Sequence, residues 1–187
     1  QIGFNRCGTT SIYELFENIK KVHYWIPSNE IDIPQLKNHE VRLEYFNGVL
    51  DARKYLLITD IIKFNKQNNN KLLEGIDDDY ILFCDLEDSN TNYQSYIEDY
   101  KTLDEQYPGS KFILNTRDID KWLQSRINHD TYLDDCKRVL NLNEEQVIAL
   151  WKKQWFDHHK DVFNYFKDRD NLIIFDIEKD SVDDLIE

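Results

Sequence analysis

The sequence predicts an α/β fold whose central parallel sheet has about four to five strands. Three short apolar runs, at residues 80–85, 111–116 and 171–176, have the composition of strands that are buried on both faces. Segments with helical spacing of apolar residues separate these runs, and strands that alternate with helices form parallel sheets. Near the start of the chain, a glycine-bounded loop joins an apolar segment to a helix, so we expect another strand there.

Length and composition indicate one domain with a substantial core. The chain has 187 residues, of which 41% are hydrophobic and 13% aromatic. Its net charge of −13 argues against nucleic-acid binding and against binding to an anionic membrane, because both need a basic surface. With no apolar run long enough to span a membrane and no signal peptide, we expect a soluble, cytoplasmic protein. The chain begins at Gln1 rather than at Met, so we expect it to be trimmed at one or both ends.

The three cysteines predict neither a disulfide framework nor a zinc site. Cys7, Cys84 and Cys136 are an odd number and show no C-x-x-C spacing. His158 and His159 are adjacent and therefore do not share a helix face, which makes them a poor metal pair. We expect no metal.

The first sixteen residues, Q-I-G-F-N-R-C-G-T-T-S-I-Y-E-L-F, have the order strand, loop, helix. Free amides in the first turn of a helix bind phosphate groups, and glycines let the backbone approach them closely. Gly3 and Gly8 have the spacing of G-x-x-x-x-G, the first part of a P-loop, but Thr9 follows where nucleotide triphosphatases have Lys. Arg6 supplies a cation instead. The alternative is a Gly/Thr-rich turn that only caps the helix.

Three elements are expected between this loop and the first buried run. A helix at residues 10–21 is followed by a short strand at 22–25, which Pro27 ends. His23 near the end of that strand is either a site residue or a half-buried packing residue. Residues 29–70 have mostly helical spacing, and we expect them to cover the entrance for a substrate.

The buried run at residues 80–85 ends in an acid, Asp85, with Glu87 close behind. In open α/β sheets, ligands bind at the carboxyl ends of the strands, so Asp85 is a candidate site residue. A helix at about 93–106 should follow and end before Pro108.

The run at residues 111–116 is the clearest parallel strand, and it leads directly into Arg117. An arginine at a strand's end can hold a phosphate with both branches of its guanidinium group. Ser125 lies about two helical turns further on the same side, where its hydroxyl can donate. Alternatively, Arg117 pairs with Asp118 or Asp120 and helps to cap the helix.

The rest of the chain contains one long helix and a last strand. Residues 126–143 are polar and less regular, and we expect them to help shape a substrate pocket. A helix follows at about 143–167, then a buried strand at 171–176, and a last helix begins at residue 181. No internal repeat or long linker is present, so residues 1–187 form a single domain.

Two motifs resemble those of the PAPS-dependent sulfotransferases. The loop R-C-G-T-T-S is similar to that family's K-x-G-T-[TS], with Arg6 in the place of Lys. The segment Y-P-G-S-K-F-I-L-N-T-R-D-I-D-K-W-L-Q-S matches a strand that ends in Arg with a Ser eight residues on. In local sequence, the chain most resembles the bacterial-type members of that family, in the segments H-Y-W, L-L-E-G-I-D and D-L-E. The resemblance covers the chain from Gln1 to about Asp176.

This resemblance implies a P-loop-type, three-layer α/β/α domain. The reaction would transfer a sulfuryl group from PAPS to a hydroxyl or amine of an unidentified small-molecule or glycan acceptor, leave PAP, and use no metal. The 3′-phosphate would bind Arg117 and Ser125. The 5′-phosphosulfate would bind Arg6, Cys7, Gly8, Thr9, Thr10 and Ser11, with Arg6 also stabilising charge on the transferring group.

The resemblance also implies a general base. Many cytosolic members have a His just after the middle strand, where this chain has Asp85, so Asp85 is the first candidate, with Glu87 and His23 behind it. Asp85 could equally be a structural acid that pairs with Arg6 or caps a helix. The chain lacks the family's C-terminal basic and glycine segment. Two alternatives stay open: a P-loop kinase-like phosphotransferase and a non-catalytic PAP-binding member of the fold.

Overall fold

The computed structural model describes residues 1–42, 45–46, 49–50 and 54–185. The elements, in chain order, are α1 (Thr9–Leu15), β1 (Lys20–His23), β2 (Trp25–Pro27), 3₁₀ helices at Ser28–Glu30 and Pro34–His39, β3 (Val41–Arg42), β4 (Tyr45–Phe46), β5 (Val49–Leu50), β6 (Lys54–Leu57), α2 (Ile58–Gln67), β7 (Tyr80–Cys84), β8 (Glu87–Asp88), β9 (Tyr93–Gln94), α3 (Ser95–Glu98), α4 (Tyr100–Gln106), β10 (Phe112–Thr116), α5 (Ile119–Ile127), α6 (Tyr132–Leu140), α7 (Glu144–Phe166), β11 (Leu172–Asp176) and a 3₁₀ helix at Val182–Leu185.

The fold is α/β, with parallel and antiparallel sheets. The largest sheet has the strand order β3-β6-β2-β1-β7, and only β1 and β7 pair in parallel there. β10 and β11 form a separate parallel pair, in which Phe112 lies opposite Leu172 and Thr116 opposite Asp176. The predicted central parallel sheet of four to five strands is therefore not shown as one hydrogen-bonded sheet in the described residues.

The first four residues explain why the two parallel pairs remain separate sheets. The Gln1 nitrogen donates to Phe83 O (2.9 Å) on one side, and the Ile2 N–H donates to Ile113 O (2.8 Å) on the other. The next two carbonyls accept from side-chain amides: Gly3 O from Gln1, and Phe4 O from Asn115 (3.4 Å). The predicted strand at the start of the chain is thus an irregular segment without a regular backbone ladder.

The largest difference from the expected structure lies in residues 29–70. Only α2 is an α-helix in the described part of this segment, which otherwise contains 3₁₀ turns and short strands. In β6, the neighbours Tyr55 and Leu56 are both buried, so the strand lacks the alternation that distinguishes a strand from a helix. Residues 43–44, 47–48 and 51–53 of the predicted helical stretch lie outside the described residues.

Other elements agree with expectation or differ in extent. The strands β7, β10 and β11 are confirmed, but only β10 is buried on both faces, because Ile81 in β7 and Ile174 in β11 are exposed. Helix α7 begins with an Asn143 capping box. α1 ends earlier than predicted, and the helix expected at 93–106 is α3 and α4, preceded by β9. The polar segment 126–143 contains α6, whose buried Leu133 and Cys136 pack on the core.

Phe4 lies at the centre of an aromatic cluster beneath the start of the loop. Its ring centroid is 5.0 Å from that of Trp122, 5.4 Å from that of Trp155 and 5.5 Å from that of Tyr96. The Trp122 indole donates to Asn5 O at 3.0 Å. The core thus anchors the segment that enters the loop.

We predict that Gly3→Ala destabilises the protein strongly. A Cβ at Gly3 would lie 2.1 Å from the carbonyl oxygen of Asn115, a backbone atom that cannot rotate away. The free energy of unfolding should fall by roughly 3 kcal/mol or more in urea denaturation. Gly109→Ala is the control, because a Cβ there meets nothing within 4 Å and the cost is only that of a positive φ, about 1 kcal/mol. Equal losses in the two variants would contradict the close approach at Gly3.

Candidate functional site

A cleft of about 700 Å³ opens at the loop between the first segment and α1. That volume lies within the usual range for ligand pockets. Polar, charged and aromatic side chains dominate its lining, which consists of Asn5, Arg6, Gly8, Thr9, Thr10, His23, Tyr24, Trp25, Asp85, Glu87, Ser89, Arg117, Ser125, His129, Tyr132 and Ile177. The described residues of 29–70 contribute none of this lining, although we expected that segment to cover the entrance for a substrate.

Left-handed backbone conformations recur around this cleft. Gly8 has φ 79°, and three residues with side chains also have positive φ: Arg6 (63°), Tyr24 (70°) and Asp85 (56°). A residue with a Cβ pays about 1 kcal/mol or more for this conformation, and such residues concentrate at functional sites. Each of these three residues lies at a sharp turn next to a segment that faces the core.

The loop is held from below by a buried amide. The Asn115 side chain on β10 is buried, and its Nδ2 donates to Cys7 O at 2.8 Å. Cys7 is itself buried, and burial raises the pKa of its thiol to about 12, so the thiol is a packing group rather than a reactive one. Gly8 caps α1 without a side-chain hydrogen bond and lies against Ile177, which a Cβ at Gly8 would approach to 3.0 Å.

Both predicted cationic positions meet on one side of the cleft. Arg6 Nε donates to Ser125 Oγ at 3.2 Å, and Arg117 Nη1 donates to the Arg6 carbonyl at 3.2 Å. Arg117 Nη2 also binds Glu178 Oε1 at 3.2 Å. Asp118 caps α5 through the amides of residues 120 and 121, so Arg117 is not needed for capping. Arg117 Nε is buried without a hydrogen-bond partner in the described part of the chain.

Two of the three candidate bases lie side by side. β1 and β7 are parallel neighbours with His23 opposite Cys84, so both chains turn at the same edge. His23 Nε2 lies 3.2 Å from Asp85 Oδ2, at ion-pair distance but without hydrogen-bond alignment. Thr9 Oγ1 donates to the same Asp85 oxygen at 3.3 Å. The Asp85 backbone N–H donates to Gln1 Oε1 at 3.0 Å, which fixes the turn. Asp85 Oδ1 is buried without a partner among the described residues.

Glu87, the third candidate, lies in a buried polar network. Its carboxylate accepts from Asn5 Nδ2 (2.6 Å) and from the Tyr96 hydroxyl (2.9 Å), and the Arg126 Nη2 atom lies 3.9 Å away. Burial raises the pKa of Glu87 from its ordinary value of 4.5 to about 7, and the nearby Arg126 only partly offsets this rise. Glu87 is therefore a carboxyl group that gains and loses its proton near neutral pH.

The cleft brings together most of the residues that the sequence singled out. Arg6, Gly8, Thr9, Thr10, Arg117, Ser125 and all three candidate bases line it. Two predicted cofactor contacts do not: the Cys7 side chain points into the core, and the Ser11 side chain is exposed beside the cleft. Cys7 could therefore contact a ligand only through its backbone, whereas the contact predicted for the Ser11 hydroxyl stays a prediction.

A family model described as a sulfotransferase domain matches residues 1–173. The chain belongs to the sulfotransferase family. No curated protein and no solved structure matched the chain.

Several residues of this sulfotransferase-family site were not identified from the sequence. Asn5 and Asn115 hold the loop, Arg126 lies behind Glu87, and Glu178 binds Arg117. The sequence could have indicated Asn115, because an amide side chain inside an apolar strand needs a buried hydrogen-bond partner. No sequence pattern could have indicated Glu178 or Arg126, since charged residues on a polar loop or an amphipathic helix usually face solvent.

The described residues contain neither a membrane-spanning helix nor a cluster of metal-ligating side chains. No helix among them is long and apolar enough to cross a membrane. Within the same residues, no group of three or more His, Cys, Asp or Glu side chains is arranged around a common metal position.

We predict that Glu87 makes the stability of the protein depend on pH. Because the folded state raises its pKa, Glu87 contributes stability that is fully present below pH 4.5 and is lost as pH rises through about 7. The free energy of unfolding of the wild type, relative to Glu87→Gln, should fall by about 2.5 kcal/mol between about pH 5 and pH 8. Burial lowers the pKa of His158 to about 4, so His158 also makes stability depend on pH. Its contribution is the same in both proteins and therefore cancels in the difference. A difference that does not change with pH would contradict this assignment.

Proposed function

We propose that the chain transfers a sulfuryl group from PAPS to a hydroxyl or amine of an acceptor. The observation that carries the proposal is the joining of the two phosphate-binding motifs in one cleft. Arg6 from the first motif is hydrogen-bonded to Ser125 from the second, and Arg117 is hydrogen-bonded to the backbone of Arg6. Membership of the sulfotransferase family supports the same reaction.

The residues of the cleft fit an anionic nucleotide. Two guanidinium groups and the hydroxyls of Thr10 and Ser125 can donate to an anion in the cleft, whereas the Thr9 hydroxyl already donates to Asp85. Arg117 Nε is a buried donor that lacks a partner among the described residues. An unpaired buried donor is costly unless a ligand pairs with it. In a protein with a net charge of −13, this local collection of cations is needed to hold a polyanion.

Each residue then has a physical role. Arg117 and Ser125 hold the 3′-phosphate, which distinguishes PAPS from ATP. Arg6 and the amides of the Gly8 turn hold the 5′ end and stabilise charge that develops on the transferring group. PAPS supplies an activated sulfuryl group. As an arginine, Arg6 acts as a fixed charge rather than as a proton donor.

The pair of Asp85 and His23 is proposed to accept the proton of the acceptor. Asp85 lies at the end of β7, in the cleft and next to the loop, and its free Oδ1 is buried with no partner in the described structure. Thr9 donates to the other oxygen, which keeps the carboxylate fixed in orientation, and His23 Nε2 lies 3.2 Å from that same oxygen. The two groups therefore act as one unit rather than as independent bases.

We predict that PAP binds much more tightly than ADP in the absence of Mg²⁺, and that Arg117→Ala removes this preference. Loss of a charged contact to phosphate should weaken PAP binding about 30-fold or more and change ADP binding little. Titration calorimetry measures both ligands. Lys121→Ala is the matched control, because Lys121 binds the same Glu178 at 3.0 Å but does not line the cleft.

Three other results would redirect this proposal. Equal binding of PAP and ADP would contradict the 3′-phosphate site. Binding of ATP that requires Mg²⁺ would favour a kinase-like phosphotransferase. Tight PAP binding without transfer of labelled sulfuryl to any phenol, sugar or amine in a broad panel would favour a non-catalytic member of the family.

We predict that Asp85→Asn and His23→Gln each lower kcat about 100-fold or more while PAP affinity stays near that of the wild type. Asn tolerates the left-handed backbone of residue 85, so the turn should survive. The double variant should lose little more than either single variant, because groups that act as a unit are not additive. Asp77→Asn serves as the control: this exposed carboxylate binds Lys20 near the opposite ends of β1 and β7. Wild-type kcat in both single variants would exclude the pair as the base.

A further inference from the structure

Ser125 and Arg126, which are consecutive in α5, hold two consecutive residues of the loop, Arg6 and Asn5. Ser125 accepts from Arg6, as described above. Arg126 acts through one intermediate: its Nη2 lies 3.9 Å from Glu87, and Glu87 accepts from Asn5 at 2.6 Å. The loop is therefore connected to α5 by a direct contact outside the core and by a charged contact inside it.

Arg126 is buried away from water, and Glu87 is the one carboxylate within 4.0 Å of it in the part of the chain that the structure describes. Its side chain is 0% exposed, and its guanidinium carbon lies 4.7 Å from the Trp151 ring centroid, 4.8 Å from that of Tyr132 and 4.9 Å from that of Trp122. Its Nη2 donates to the Tyr132 hydroxyl, whereas Nε and Nη1 have no hydrogen-bond partner in the described residues. A buried cation of this kind is costly, and Glu87 is the carboxylate that offsets it.

This pair lies directly behind the wall of the cleft. Glu87 and Tyr132, which both contact Arg126, line the cleft together with Arg6 and Asn5. The charges of Glu87 and Arg126 therefore act on the space where the anionic groups of the bound nucleotide would lie.

We propose that Arg126 and Glu87 are positioning residues that hold the loop through Asn5 and couple binding of the nucleotide anion to uptake of a proton by Glu87. This inference rests on the proposed function, because it concerns the same cleft. When an anion enters, it opposes the negative charge of Glu87 and favours its protonated form. The positive charge of Arg126 then faces the anion without a counter-charge.

The groups around Glu87 fix the direction and the pH range of this effect. Arg126 from α5 opposes protonation, whereas Asp85 at the end of β7 favours it. Tyr96 of α3 and Tyr132 of α6 face the carboxyl with neutral hydroxyls, because burial raises the pKa of both. The neighbouring Asp88 is turned away towards Lys63 at 2.6 Å. With the pKa of Glu87 already near 7, the uptake falls between about pH 7 and pH 8.

The test is titration of PAP by calorimetry at about pH 7.5, in two buffers of different ionisation enthalpy. The wild type should take up a fraction of a proton per PAP bound, and Glu87→Gln should take up none. PAP affinity of the wild type should weaken by up to about tenfold for each pH unit above 7, whereas that of Glu87→Gln stays nearly constant once the ionisation of PAP itself is complete.

Asp104→Asn is the matched control. Asp104 is a buried carboxylate that binds an arginine, Arg169, and a tyrosine, Tyr165, but it lies outside the cleft. Its replacement should leave both the proton uptake and the pH dependence at wild-type values. His23→Gln should likewise retain the uptake, which separates Glu87 from the histidine beside Asp85.

A second measurement does not depend on any variant folding. Infrared difference spectra of the wild type on addition of PAP should show a gain in the carbonyl band of a protonated carboxyl group. Identical uptake in wild type and Glu87→Gln, or no gain in that band, would overturn the inference alone. Failure of the wild type to bind PAP would overturn the proposed donor as well.

Discussion

The arrangement of the site depends on the buried side chain of Asn115. Its amide nitrogen donates to Cys7 O at 2.8 Å and to Phe4 O at 3.4 Å, and its oxygen accepts from the Gln1 side chain. This one residue therefore ties β10 to both ends of the segment that leads into the loop. In place of a backbone ladder, an amide satisfies the carbonyls of a chain that must turn sharply within a few residues.

The consequence of this tie is that groups far apart in sequence act in a single space. The loop is anchored on β10, and the next residue beyond that strand is Arg117, so the second motif lies beside the first. The parallel pairing of β1 with β7 brings His23 and Asp85 to the same edge from the other side. The cations thus lie on one side of the cleft and the carboxylates on the other, although the protein as a whole is strongly acidic.

The sequence predicted which side chains meet in the cleft better than it predicted the shape of the sheet. Arg6, Arg117, Ser125 and Asp85 were identified because glycines, strand ends and helical spacing constrain where such side chains point. The single parallel sheet was not found because side-chain amides replace backbone pairing at Gly3 and Phe4, and no local pattern reveals such a replacement. The described residues of 29–70 were misassigned as mostly helical because the adjacent buried residues of β6 run into the helical spacing of α2. Contacts such as Arg126 with Glu87 depend on tertiary packing between distant segments, so no spacing rule could indicate them.

The left-handed turns at Arg6, Tyr24 and Asp85 place stability and recognition in opposition. At each of these positions, glycine or asparagine would relieve backbone strain, and a search for stabilising substitutions would select them. At Arg6 and Tyr24, that gain would remove the side chain that the turn presents to the cleft. Asp85 differs from the other two, because asparagine is nearly isosteric with it and would keep the shape while removing the charge. Thermostable variants selected without reference to activity would therefore tend to lose the site while keeping the fold.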